Sequence, residues 1–189
     1  MLISKQHLNV GVTAGTDGYR PLLQYIQVLQ LDDEVVAVAT DGYILSEVRE
    51  ATPSSADFPD EHGAVKDLRI SANTAKEAKR VLRPNKLLPV LSFAKATSAG
   101  LVVTDLDRKT ILDDTRPEGD YPEYSKLIPA SDQRVARVTI NPKFLAKVLR
   151  VFAGTDSVQL EMHGPLKPLV IRSKTAERTI TGVVMPLKD

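Results

Sequence analysis

The side chains best suited to metal or acid–base chemistry in this sequence of 189 residues form one acidic cluster. Asp105, Asp107, Asp113 and Asp114 offer carboxylate oxygens, which Mg²⁺ and Ca²⁺ prefer as ligands. The cluster lacks the spacing, the Gly and the terminal Glu of an EF-hand loop. Asp-x-Asp followed by Arg-Lys, between two β-like runs, favours a hairpin turn, and a metal-dependent enzyme remains a third hypothesis.

The other reactive residues lack the spacing of a catalytic or nucleotide-binding site. Ser46 and Ser92 have neither a nearby His nor a nucleophile elbow. The glycine-containing segment 14–19 matches neither a P-loop nor a dinucleotide fingerprint, so we expect a loop there. The three histidines lack metal-ligand spacing, and we expect surface or loop positions for them: His7, His62 and His163. The sequence therefore predicts a protein that is not an enzyme and needs no cofactor or metal.

The composition is that of an ordinary globular protein, with 42% hydrophobic and 26% charged residues. The 25 Lys and Arg nearly balance the 24 Asp and Glu, which argues against nucleic-acid binding through overall charge but leaves a local basic surface open. The absence of Cys fits a reducing compartment. The longest apolar runs, such as 35–39, are far shorter than the ~20 residues of a membrane span, and the first residues do not form a signal peptide. We expect a cytoplasmic protein that binds no membrane.

The elements that must position any site recur in three copies. At intervals of roughly 60–70 residues, an apolar residue followed by Ser or Asn precedes a helical pattern. The three places are Leu2-Ile3-Ser4, Arg69-Ile70-Ser71 and Thr139-Ile140-Asn141. Ser and Asn predict N-caps, because their side-chain oxygens accept a backbone N–H that the first turn leaves unpaired. Apolar residues at helical spacing then predict helices over about 5–14, 72–83 and 141–154.

Three β-like segments follow each predicted helix. They span 22–29, 34–40 and 43–49 after the first helix, 88–95, 100–105 and 109–114 after the second, and 157–162, 169–173 and 179–185 after the third. The repeat is therefore one strand, one helix and three strands. This order predicts an α+β fold with helices on one face of antiparallel sheets.

Two connectors divide the chain. Residues 53–67, rich in Ser, Pro, Asp and Gly, separate the first and second repeats. Residues 116–132 separate the second and third repeats, and four of them are too apolar for an uncovered linker: Tyr121, Tyr124, Leu127 and Ile128. We expect a domain over 1–128, made of two repeat units (about 1–60 and 67–118) and the connector, followed by a third repeat unit over 129–189.

Basic residues recur on the polar side of the predicted helices. Lys76, Lys79, Arg80 and Arg83 form one stripe on the second helix. The third helix repeats the arrangement with Lys143, Lys147 and Arg150, and Lys5 begins the first. One such stripe alone indicates a solvated face. Its recurrence on two helices favours a surface that contacts phosphates and reads charge and shape without base specificity.

Three pieces of sequence resemble the bacterial DNA polymerase sliding clamps, the β subunit of the replicase. The segment VAVATDGYILS at 36–46 closely resembles the ATDGxRL segment of that family. DYPEYSKLIP at 120–129 resembles its FPDYxxxLP connector, and GVVMPLK at 182–188 resembles its terminal YVVMPMR. The resemblance spans nearly all of this chain and about half of a clamp, the middle domain and the second half of the last.

The resemblance implies a clamp-like fold, with sheets outside and basic helices facing double-stranded DNA without sequence preference. It also implies a surface pocket for a linear motif of DNA polymerase or repair proteins. Matched by motif, the pocket residues are Thr40, Gly42, Tyr43, Ile44, Leu45, Pro122, Lys126, Leu127, Val183, Met185, Pro186 and Leu187. The chain departs from the motifs at Ile44, where the family has a basic residue, and at Gly182, where it has an aromatic one.

The number of repeats also departs from the family, which has six per chain and twelve per ring. A closed ring of that size would need about four chains of three repeats. The unpaired third repeat would leave an open sheet edge unless another chain covers it, so we expect a homo-oligomer. The alternative is an adaptor or competitor that binds clamp-interacting peptides and never encircles DNA.

Overall fold

The computed structural model describes residues 1–53, 65–83, 85, 87–97, 100–104, 109–112, 117–175 and 178–187. The chain divides into two compact units, residues 1–122 and 123–189. The first compact unit holds the first and second repeats, and the second holds the third. Within the described ranges, no helix has the length and apolar character needed to cross a membrane.

Both repeats of the first unit have the predicted order of elements. The first repeat contains β1 (Leu2–Ser4), α1 (Lys5–Asn9), β2 (Tyr25–Gln30), β3 (Glu34–Thr40) and β4 (Leu45–Ala51). The second contains β5 (Asp67–Ser71), α2 (Ala72–Val81), β6 (Phe93–Thr97), β7 (Gly100–Thr104) and β8 (Lys109–Leu112). The α+β class is confirmed, because every strand pair in these repeats is antiparallel.

Both helices begin at the predicted caps. Ser4 Oγ accepts the backbone N–H groups of Gln6 and His7, at 3.1 and 3.3 Å. Ser71 Oγ accepts the Thr74 N–H at 3.0 Å. Each hydroxyl thereby satisfies a donor that the first helical turn leaves without a carbonyl.

The structure differs from the prediction at several element ends. α1 ends at Asn9 and continues as a 3-10 turn over Val10–Thr13, a stretch of poor helix formers. Gly11 lies so close to β2 that a Cβ there would be 3.1 Å from Ile26 Cδ1. The first residues of two predicted strands instead form 3-10 turns, Pro21–Gln24 and Pro89–Ser92, because a leading Pro has a helical φ and no N–H to pair in a sheet.

The two repeats of the first unit complete each other's sheets. β1 pairs with β6 of the second repeat, and β5 pairs with β2 of the first. The two sheets have the strand orders β4-β3-β2-β5 and β1-β6-β7-β8. Each sheet therefore combines three strands of one repeat with the first strand of the other.

The core of the first unit lies between these sheets and helices. Leu8 of α1, Ala75 and Ala78 of α2, and Ile26 and Val28 of β2 are at most 1% exposed. The two β2 residues are two positions apart, as expected for the inward face of a strand. Burial of each larger aliphatic side chain stabilises the fold by about 1.5–3 kcal/mol.

His7 is buried, at 2% exposure, so the predicted surface or loop position is wrong for this residue. Its Nε2 donates to the Val35 carbonyl O at 3.0 Å, and its Nδ1 accepts the Ser4 N–H at 3.1 Å. These bonds use one donor and one acceptor, which is the pattern of a neutral imidazole. Burial lowers the pKa of His7, while the Val35 carbonyl and the Glu50 carboxylate, 3.4 Å from Nδ1, oppose that shift.

We expect His7 to make the stability of the protein depend on pH. The unfolded chain takes up a proton near pH 6.5 and the folded chain at a lower pH, so the free energy of unfolding falls as the pH drops below about 6.5. The loss should reach at most about 1.4 kcal/mol per pH unit. Denaturant unfolding of wild type and His7→Gln between pH 7.5 and 5 measures it. A stability difference between the two proteins that is independent of pH would contradict this assignment.

The second unit contains one repeat: α3 (Pro142–Leu149), β9 (Gln159–Met162), β10 (Leu169–Lys174) and β11 (Thr179–Val184). Asn141 Oδ1 accepts the Lys143 N–H at 2.9 Å and Pro142 takes the first helical position, as predicted. The sheet order is β11-β10-β9, antiparallel throughout. Its core residues are Phe152, Leu169, Ile171 and Val184.

Gly182, where the clamp motif has an aromatic residue, lies directly beneath α3. A Cβ at this position would lie 3.0 Å from Phe152 Cε2 and closer still to the Val148 side chain. Phe152 and Val148 thus occupy the space that any side chain at position 182 would need. The departure from the motif has a packing cause within this unit.

Candidate functional site

The turn between β3 and β4 carries the first group of predicted pocket residues. Thr40 Oγ1 donates to the Ile44 carbonyl O at 2.6 Å and accepts the Gly42 N–H at 3.0 Å. Asp41 Oδ1 accepts the N–H groups of Tyr43 and Ile44 at 2.8 and 2.9 Å. The N–H groups of Ile44 and Tyr43 hold the pKa of Asp41 below its usual range. Asp followed by Gly after a strand favours such a turn, and the side chains of Thr40 and Asp41 fix its shape.

Arg20 lies over this turn. Gly42 has a φ of +95°, and a Cβ on it would lie 2.7 Å from Arg20 Nη1. The guanidinium carbon of Arg20 is 5.9 Å from the centre of the Tyr43 ring, within range of a cation–π contact. Arg20 Nε is 3.7 Å from Asp17 Oδ2. The site therefore contains a cation, although the motif's basic position is Ile44.

A cavity of about 330 Å³ opens beside the turn. Its lining residues are Ala14, Gly15, Thr16, Asp17, Arg20, Leu23, Asp41 and Tyr43. Leu23 and Ala14 form the apolar wall. The Gly15 N–H donates to the Leu23 carbonyl O at 2.7 Å. Tyr43 forms an exposed rim, with 88% of its surface accessible. The lining is about as polar as it is apolar, so the cavity offers one apolar wall at Leu23 beside the charged groups of Asp17, Arg20 and Asp41.

Most of the cavity lining was absent from the residues predicted by motif. Tyr43 lines the cavity, but six of the eight lining residues lie within 14–23, a stretch predicted to be a loop followed by a strand. The available signal was the charged segment Asp17 to Arg20 followed at once by Pro21 and apolar residues. Thr40 is buried and holds the turn, and Leu45 begins β4 as a half-buried residue.

The connector begins in the first unit. Tyr121 is 9% exposed and its hydroxyl donates to the Tyr25 carbonyl O at 3.3 Å, so the cover expected for this residue is present. Arg69 Nη1 donates to the carbonyl oxygens of Pro117 and Gly119, at 3.1 and 2.5 Å. Pro122, a predicted pocket residue, follows these contacts and is exposed.

The remaining predicted pocket residues lie in the second unit. Lys126 Nζ forms an ion pair with Glu123 Oε2 at 2.8 Å. Within the described part of the chain, Leu127 and Ile128 are 69% and 43% exposed. Val183, Met185 and Leu187 are 50%, 65% and 46% exposed. Between them Pro186 bridges to Ile140, and the Leu187 N–H donates to the Thr139 carbonyl O at 2.8 Å. This C-terminal segment presents a row of apolar side chains on a fixed backbone.

The cations predicted to face DNA lie on or beside the three helices. Six are exposed: Lys76, Arg80, Arg83, Lys143, Lys147 and Arg150. Lys5 and Lys79 are half-buried, and Lys5 Nζ donates to the Leu82 carbonyl O at 3.5 Å. No ion pair between described residues uses any of the eight. Their charges are therefore available to an anionic partner.

The groups considered for metal or acid–base chemistry add no site to the described part of the chain. Asp105, Asp107, Asp113 and Asp114 lie outside the described residues, as does His62. Within the described ranges, no group of three His, Asp or Glu side chains is placed to hold a metal ion. His163 is exposed, 3.4 Å from Glu161 Oε2.

No protein-family model and no curated relative matches the sequence. Solved structures do match the fold. The Bacillus subtilis DNA polymerase sliding clamp superposes on 98% of this chain with a TM-score of 0.66 and 16% identity. The chain has the fold of half a bacterial sliding clamp. The β subunit of Streptococcus pyogenes DNA polymerase covers 100% of the chain with a TM-score of 0.67 and 13% identity. The Thermotoga maritima DNA polymerase III β subunit covers 100% with a TM-score of 0.58 and 15% identity.

The sliding-clamp resemblance predicted from three short sequence pieces is confirmed at the level of the fold. This chain spans 48% of the Bacillus structure, 50% of the Streptococcus structure and 51% of the Thermotoga structure. The half-length relation expected from the motifs is thus also confirmed.

Proposed function

We propose that this chain is a clamp-like processivity factor that catalyses no reaction. It contacts duplex DNA through its helix cations and tethers a polymerase or repair protein through a peptide-binding site. The observation that supports this most is the cavity beside the 40–44 turn, because it lies at the segment that most closely resembles the clamp family. Tethering would raise the effective concentration of the enzyme near its template, so rebinding outruns diffusion away.

Each unit offers peptide-binding side chains of its own. In the first unit, Leu23 and Ala14 offer an apolar wall, and Arg20 offers donors for a peptide carbonyl or carboxylate. In the second unit, Val183, Met185 and Leu187 offer exposed apolar contacts, and the flexible Met suits partners of varied sequence.

We expect Tyr43→Ser and Met185→Lys each to weaken binding of a clamp-binding peptide from a replicative polymerase by about tenfold, as truncation of a contact residue costs about 1–2 kcal/mol. Both side chains are largely exposed, so neither change should unfold the protein. Fluorescence anisotropy of the labelled peptide measures the affinity. Tyr19→Ser is the matched control, because Tyr19 is 96% exposed and lies outside the cavity lining. Equal affinity in all four proteins would contradict the assignment.

The helix cations would bind the phosphates of duplex DNA. Arg80 and Arg83 belong to an exposed stripe that continues the basic pattern of α2, and α3 repeats it. Such contacts neutralise phosphates and release counterions without reading bases. The net charge of +1 means that the rest of the surface adds little attraction.

We expect DNA binding to depend less steeply on salt concentration when the cations of α2 are replaced by neutral residues. The variant replaces four residues by Gln: Lys76, Lys79, Arg80 and Arg83. The slope of log K against log salt should decrease by about 0.9 for each phosphate that the variant no longer neutralises. The control replaces four other exposed cations by Gln, with the same change in net charge: Lys66, Lys167, Lys174 and Arg178. Equal slopes in the variant and the control would argue against a DNA-facing α2.

A topological test distinguishes a protein that encircles DNA from one that does not. Protein bound to a nicked circular plasmid should remain through a moderate-salt wash and be released once the plasmid is cut to a linear form. Retention on both forms or on neither would contradict encirclement. Loss from both, with peptide binding intact, would support the adaptor that occupies the same peptides without surrounding DNA.

A further inference from the structure

The third repeat has a segment equivalent to the exchanged strands of the first unit, and a sheet edge with no partner strand among the described residues. In the first unit, the strand before each helix leaves its own repeat: β1 pairs with β6, and β5 pairs with β2. The equivalent segment of the third repeat is 138–140, which ends at Ile140 before the Asn141 cap. It forms an isolated bridge from Ile140 to Pro186. Within the described residues of this unit, β9 pairs with β10 and with no second strand.

The backbone of 138–140 is oriented to accept a second partner. The Leu187 N–H donates to the Thr139 carbonyl O at 2.8 Å, so Thr139 faces the C-terminal segment. Hydrogen-bonding groups of successive strand residues point to opposite edges. The N–H and C=O of Ile140 and of Val138 therefore point to the edge away from Pro186. This is the edge that β1 and β5 use in the first unit.

The inward face of β9 is exposed where its counterparts are buried. Leu160 lies opposite Ile171, which is 0% exposed, and so belongs to the core face of the sheet. Leu160 is nevertheless 60% exposed, and Val158, two residues earlier and just before β9, is 36% exposed. The counterparts in the first unit are at most 4% exposed: Ile26 and Val28 on β2, and Ala94 and Ala96 on β6.

α3 also has an apolar residue that is exposed where the equivalent residues of α1 and α2 are buried. The residue three positions after each cap is His7 on α1, Thr74 on α2 and Phe144 on α3. α1 and α2 pack against each other, and His7 and Thr74 are 2% and 9% exposed. Phe144 is 58% exposed. A phenyl ring thus stands in solvent at a helix position that is buried in both repeats of the first unit.

We propose that two copies of this chain pair through their third repeats to build one complete clamp-like domain. Each copy donates 138–140 to β9 of the other, antiparallel, and the two α3 helices pack together. The occupant is a second copy because each third repeat has both the donor strand and the open edge, so one twofold contact satisfies both in both chains. The first unit of the same chain is the template, since two such repeats already complete each other there.

The template also fixes the register. In the first unit, the Ile before each cap lies opposite the first of two inward residues of the acceptor strand. Ile3 lies opposite Ala94, which precedes Ala96, and Ile70 lies opposite Ile26, which precedes Val28. In the third repeat, Val158 is the equivalent residue, because it precedes Leu160 by two positions. Ile140 of one copy should therefore lie opposite Val158 of the other. The new contact would bury Leu160 and Phe144 and close the edge of β9.

The assembly mass as a function of concentration, measured by sedimentation, tests this interface. Wild type should form dimers, or larger assemblies built from them. Leu160→Lys should raise the dissociation constant by about 100-fold or more, because an unpaired ammonium would be buried. Leu166→Lys is the matched control: Leu166 is 71% exposed in the β9–β10 hairpin, away from the open edge. Circular dichroism should show equal folding of both variants, since both leucines are exposed in one chain.

Disulfide trapping tests the register independently, because the chain has no Cys. Ile140→Cys combined with Val158→Cys should give a covalent dimer on oxidation, since directly opposed strand residues have the Cα separation that a disulfide needs. Thr139→Cys with Val158→Cys should not, because these side chains lie on opposite faces. A wild-type monomer at all concentrations would overturn the proposal. An oligomer that is unaffected by Leu160→Lys and is not trapped would also overturn it. Neither assay involves DNA or peptide, so the interface can fail while the proposed function stands.

Discussion

The exchange of the first strand between repeats is the constraint on which the rest of this fold depends. β2 and β6 are each covered on one edge by a strand of the other repeat. The same exchange brings α1 and α2 together over the shared core of Leu8, Ala75 and Ala78. A single repeat has too few strands and only one helix, so it leaves an open edge and part of its apolar face uncovered. Positions outside the exchange, on turns and outer helix faces, are the ones free to carry function.

The elements predicted correctly from the sequence depend on short-range chemistry. Ser4, Ser71 and Asn141 cap helices through bonds to residues two or three positions away, and the hairpins follow from alternation and turn residues. The exchange itself has no such signal, since Leu2 pairs with Lys95 across most of the first unit. The burial of His7 has the same origin, because Val35 and Glu50 reach it from distant strands.

The candidate peptide site likewise has one part that the sequence predicts and one part that depends on the fold. Asp41 and Gly42 predict the turn because an Asp side chain bonds to the following N–H groups and Gly accepts a positive φ. The opposite wall of the cavity comes from residues more than 15 positions earlier in the chain. Its shape depends on the Gly15–Leu23 hydrogen bond and on Arg20 lying over Gly42. The motif comparison found the turn, and only the fold shows what the turn faces.

The third repeat follows the first two in its cap and in the three strands after the helix, but apolar side chains stand exposed at positions that are buried in the first two. An edge strand that remains in solvent is protected by charged residues, Pro or a bulge on its exposed side. The inward face of β9 instead carries the exposed Leu160, Val158 is exposed just before the strand, and α3 carries Phe144 at a position that is buried on both other helices. Lys143 and Lys147, by contrast, lie exposed on α3 like the cations of α2. Leu145 and Val148 of the same helix pack on the core of its own unit, whereas Phe144 is 58% exposed there, which is the pattern of a core that is only partly covered.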